Sequence, residues 1–119
     1  MDTLSIKNYL LAKPDTREDY PFGPNVAVFK VKGKMFATLS AQAGIDNMNL
    51  KCEPQEALAL REIFDAVKPG YHMNKKHWNT IILDDSIPQG EVERMIDNSF
   101  LLVVKGMPKK DRVSIEIKL

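Results

Sequence analysis

The chain has 119 residues, 44% hydrophobic and 28% charged, and its 17 basic and 16 acidic side chains leave a net charge of +1. That length fits one domain over residues 1–119, and that composition excludes a disordered chain. The lone cysteine, Cys52, excludes an intramolecular disulfide, and no apolar run approaches the ~20 residues of a membrane-crossing helix.

Thr3 is placed to cap a first helix running to about Lys13, where Pro14 stops it. Asp15 to Pro24 reads as a connection rich in turn formers. Asn25 to Val31 and Met35 to Ala41 read as strands joined at Lys32-Gly33-Lys34, with glycine where positive φ is easiest. After a turn at Gly44–Asp46, Asn47 to Cys52 forms a third strand with Met48, Leu50 and Cys52 on one face. Pro54 opens a second helix, in which Ala57, Leu60, Phe64 and Val67 recur at helical spacing until Pro69-Gly70. Thr80 to Leu83 is a fourth strand. Ser86 with Gln89 forms a capping-box pattern ahead of a third helix, whose stripe is Val92, Met95, Ile96, Phe100 and Val103 and whose end is Gly106. The tail from 113 to 119 alternates apolar and polar residues, which predicts an extra edge strand able to pair with a second chain. The expected class is α+β in two layers: an antiparallel sheet with helices on one face, in the order α-β-β-β-α-β-α, with the tail strand added.

Charge is segregated along the chain. Lys30, Lys32, Lys34 and Lys51 face one acid, Asp46, between Val26 and Cys52, and no acid lies between Val67 and Leu83. Acids collect at 15–19, 53–65 and 84–97. The N-terminus lacks the basic start and apolar stretch of a signal peptide, so the expected location is the cytoplasm.

The segment Pro69 to Thr80 concentrates binding chemistry. It holds both histidines, the one tryptophan, Lys75, Lys76, Asn74 and Asn79, and no acid. Two histidines five residues apart do not make a zinc site, so no metal and no cofactor are expected. Cys52 shares the apolar face of its strand and reads as a core residue rather than a nucleophile. No phosphate-binding glycine loop or nucleophile elbow occurs, so no enzymatic activity is expected. Lysines on two projections suit backbone phosphates, and an aromatic ring suits a base or sugar. The structural alternative is that Trp78 anchors the loop in the core while the lysines keep it soluble.

Tyr20-Pro21-Phe22-Gly23, Val28-Phe29-Lys30-Val31, Gly33-Lys34-Met35-Phe36-Ala37, Leu50-Lys51-Cys52 and the block Pro69 to Asn79 resemble the YjbR/MmcQ-like family of small bacterial proteins. Leu102-Val103-Val104 and Pro108-Lys109-Lys110 extend the resemblance. It implies a compact α+β fold, compared with a double-wing or CyaY-like arrangement, and non-enzymatic binding of double-stranded DNA. The wing residues would be Lys32 and Lys34, and the motif residues Lys75, Lys76, His77, Trp78 and Asn79. Two other readings are a protein-interaction module, such as a homodimer joined through the C-terminal strand, and a small-anion site lined by Tyr71, His72, His77 and Trp78.

Overall fold

The computed structural model describes residues 2–42 and 44–119. Their elements run α1 (Thr3–Leu11), β1 (Thr16–Asp19), β2 (Val26–Val31), β3 (Lys34–Gln42), β4 (Ile45–Lys51), α2 (Pro54–Ile63), β5 (Val67–Pro69), β6 (Trp78–Ile82), α3 (Gln89–Lys105) and α4 (Lys109–Glu116). The strands form one open antiparallel sheet in the order β1-β2-β3-β4-β6-β5. The expected class holds: a sheet with helices packed on one side. No described helix is long and apolar enough to cross a membrane.

The core lies between that sheet face and the helices. Strand alternation sends Ala27, Phe29 and Val31, Ala37 and Leu39, Met48 and Leu50, Val67 and Ile81 toward the helices. From the other layer, α3 contributes Val92, Met95, Ile96, Phe100 and Val103, as its spacing predicts, and α1 contributes Ile6 and Leu10. Phe100 meets Phe36 edge to face, with ring centroids 5.2 Å apart. The β2–β3 register shifts by one residue between Phe29 and Lys30, which leaves Phe36 as the extra residue of a bulge. Beyond it the buried Ser99 hydroxyl of α3 accepts from the Lys51 amide at 2.9 Å and donates to the Phe36 carbonyl. One hydroxyl thus satisfies two backbone groups where the ladder is interrupted.

Several expectations need correction. Asp2 caps α1, its side chain accepting from the Ser5 amide at 2.8 Å, and Thr3 is the first helical residue. The segment after Pro14 contains an edge strand, β1, which pairs Thr16 with Val31 and Asp19 with Val28. Its sequence, Thr-Arg-Glu-Asp, has no apolar alternation to betray it. Glu18 points to the helix side and meets Lys7 of α1 at 2.9 Å. Helix α2 ends at Ile63, with Phe64 extended at φ −119°, and Val67 belongs to β5 rather than to the helix. Ser86 caps no helix: its amide and hydroxyl both donate to Asp84, and α3 begins after Pro88.

The tail is a helix, not a strand. Pro108 stands at the N-cap of α4, and of the alternating residues only Ile115 is buried, while Val113, Ile117 and Leu119 are exposed. One apolar anchor holds a two-turn helix on the molecule, so the even spacing carried no strand signal. The expected edge strand at 113–119 is therefore replaced by the end of α4.

Candidate nucleic-acid interface

The topology brings the two lysine-bearing projections together. Residues Lys32 and Gly33 form a two-residue turn, both at positive φ (51° and 77°), between paired Val31 and Lys34. Those two φ values are what a hairpin turn matched to strand twist requires, and glycine supplies one without strain. Because every neighbouring pair is antiparallel, the end of β4 at Lys51, the start of β6 at Trp78 and the end of β5 at Pro69 all lie at the same end of the sheet as this turn. The hairpin and the loop 70–77 leave that end about three strand spacings apart, on the order of 15 Å.

The predicted residues play unequal parts there. Lys34 and Lys76 are exposed and have no carboxylate partner among the described residues. The Lys32 ammonium lies 3.7 Å from Asp15, which also takes Lys118 at 2.8 Å. Two cations share that carboxylate, and Lys118 first, then Lys32, hold Asp15 below the usual aspartate range. Lys75 turns back to donate to the Gly70 carbonyl at 3.2 Å. His77 is half-buried, and its carbonyl accepts from the Cys52 amide at 2.8 Å. Trp78 is also half-buried and stands on the helix-free face, opposite Lys51.

Asn79 is not part of a ligand surface. It is 2% exposed, and its side chain accepts from Arg61 Nε at 2.7 Å and donates to the Ala57 carbonyl. Arg61 also donates through Nη2 to the carbonyls of Lys75 and Trp78. One guanidinium from α2 thereby ties the tip of the loop to the start of β6. The Asn74 side chain accepts from the Lys76 amide at 2.9 Å and the Asn74 carbonyl from those of His77 and Trp78, which closes the turn. Cys52 is buried as expected. Burial first, then Glu56 and Glu53, pushes its thiol up to about 11, which keeps it from acting as a thiolate.

The sheet face away from the helices was missed by sequence reading. Register pairs Arg17 with Lys30 and Lys30 with Met35, and separately Lys51 with Trp78, all on this face at the loop-bearing end. Lys68 stands one row further in, opposite Thr80. Arg17, Lys51 and Lys68 have no carboxylate partner among the described residues, and Lys30 meets Asp19 at 3.1 Å. Asp19 is the one acid that the strands place on this face. Glu18 and Asp46 point to the helix side, where they meet Lys7 and Thr3 of α1. Glu53, Glu56, Glu91, Glu93 and Asp97 sit on the helical layer, two of them held by Arg94. The signal that could have found this face is the alternation of each strand: residues 30, 51 and 68 all fall out of phase with the apolar set.

The profile of the YjbR family matches residues 11–102. The uncharacterised protein YbdF of Escherichia coli O157:H7 is 40% identical over 106 residues, covering 89% of this chain and 87% of its own length. YjbR of Escherichia coli K12 is 29% identical over 112 residues, covering 94% and 95%. The crystal structure of Deinococcus radiodurans protein DR2400 superposes with a TM-score of 0.88 at 32% identity, over 98% of this chain and 89% of that one. A Pseudomonas syringae crystal structure superposes with a TM-score of 0.76 at 30% identity, over 86% and 98%.

Proposed function

This chain belongs to the YjbR family, and we propose that it binds DNA through phosphates, without catalysing a reaction on it. The observation that supports this reading is the local excess of cations on the open sheet face. Within the helices acids and bases balance, whereas the strands give the open sheet face Arg17, Lys30, Lys51 and Lys68 against Asp19 alone. Lys34 and Lys76 extend the cationic edge beyond the sheet from two projections at the same end. A near-zero net charge does not oppose the reading, because phosphates respond to the local field of one surface rather than to the sum over the molecule. Rigid strands hold these cations, and Arg61 steadies the loop beside them.

Phosphate contacts release counterions, so affinity falls linearly with salt on logarithmic axes, by roughly 0.9 in slope for each duplex phosphate neutralised. Replacing Arg17 and Lys51 together by Ala should lower the slope by about 2 and weaken binding at low salt. Fluorescence anisotropy of a labelled duplex over a salt series measures both. Undetectable binding by the parent protein at low salt, or a slope that the double substitution leaves unchanged, would refute the proposal.

A further inference from the structure

A cleft of about 200 Å³ opens on the helix-free face beside these cations. Its floor is neutral and polar, made by Asn47, Asn49 and Thr80; Ile82 and Pro69 add apolar sides. The floor is held in a fixed arrangement. The Thr80 hydroxyl donates to Asn49, whose amide donates to Thr38 at 3.0 Å, and Thr80 accepts from the Tyr71 amide at 2.9 Å. The side-chain amide of Asn47 has no hydrogen-bond partner among the described residues, so both a donor and an acceptor remain to be used. Tyr71, 57% exposed, stands at the rim, and Lys68 stands beside it with no carboxylate partner among the described residues. None of the lining residues is acidic.

We infer that this cleft takes an unpaired nucleobase, with Tyr71 stacking on the ring, Asn47 reading its edge and Lys68 holding the attached phosphate. The parts match the ligand one by one. A base is a flat, neutral ring with donors and acceptors on its rim, and every base offers a face to an aromatic side chain. A paired base inside a duplex presents no free face and cannot enter. The inference rests on the phosphate-contact reading for the neighbouring cations, and it adds that the preferred ligand is single-stranded. A free mononucleotide carries the same chemistry, so the test has three arms.

A mononucleotide, a short single-stranded oligonucleotide and a duplex of the same length are titrated at one salt concentration. Anisotropy gives the oligonucleotide affinities, and the Asn47 and Asn49 side-chain amide peaks in nitrogen-15 NMR spectra report on the cleft. The single strand should bind about tenfold more tightly than the duplex, shift both amide peaks, and lose roughly tenfold in affinity in Tyr71→Ala. Asn47→Ala is the second variant, and thermal melts verify that both remain folded. Shifts caused by the mononucleotide but not by the single strand would support the cleft's chemistry and assign it to free nucleotides. Equal affinity for both DNA forms, with neither amide peak moving in any arm, overturns the inference and leaves the phosphate-contact reading intact. Failure of both DNA forms to bind overturns that reading, whatever the mononucleotide does.

Discussion

Arg61 does more for the candidate interface than any residue within the loop it holds. Its guanidinium spans the Asn79 side chain and the carbonyls of Lys75 and Trp78, so the start of β6 and the tip of the loop are fixed by one planar fork. Lysine carries the same charge but not that fork. Arg61→Lys should therefore lower stability by about 1–3 kcal/mol, the usual cost of leaving such acceptors poorly paired. Urea unfolding measures this, and a loss under about 0.5 kcal/mol, the range of ordinary surface changes, would show that the fork is dispensable. The role was legible in part. Arg61 lies four residues after Ala57 and next to Leu60, on the buried stripe of α2, yet an arginine there reads as an outward side chain. Asn79 shows the converse. An amide in a loop rich in binding groups looked like a ligand contact, whereas pairing with Leu50 turns it into the core layer.

Elements were legible where hydrophobic period and chain punctuation agreed. Helix α3 has both a long apolar stripe and Gly106 at its end, and the β2–β3 hairpin has its glycine between two β-prone runs. Three elements lacked such agreement. Strand β1 is held by pairing and ion pairs, without apolar residues; β5 follows α2 so closely that Val67 fits the helical count; and α4 needs only Ile115 as an anchor, so the even spacing of its other apolar residues was accidental. The β5–β6 connection has a steric requirement of its own. Gly70 is buried, donates to the Trp78 carbonyl at 2.9 Å, and would place a Cβ 2.8 Å from both the Trp78 Cβ and that carbonyl oxygen. The obstacle is paired backbone, which cannot swing aside. Gly70→Ala should cost about 1–3 kcal/mol by overpacking and displace the loop from Arg61. An unchanged melting temperature would contradict this.

At the scale of the whole molecule, the two-layer plan leaves one sheet face open and gives it a local excess of cations. One sheet face is buried under helices in which acidic and basic residues balance, while the strands' remaining alternate positions put Arg17, Lys30, Lys51 and Lys68 on the other face against Asp19. Sequence reading detected segregation along the chain but placed the cations chiefly on loops, because which strand faces align depends on pairing between segments distant in the sequence. Of the two projections it named, the structure keeps Lys34 and Lys76 free, while Lys32 shares Asp15 and Lys75 closes its own loop. The central claim is that the open face, edged by these projections, meets DNA. Mapping backbone amide shifts in nitrogen-15 NMR spectra during a DNA titration tests it most directly. The account predicts shifts at Arg17, Lys30, Lys34, Lys51, Lys68 and Lys76, with α2 and α3 unmoved on their solvent sides. Shifts confined to the helical layer, around Glu56 and Arg94, would contradict it.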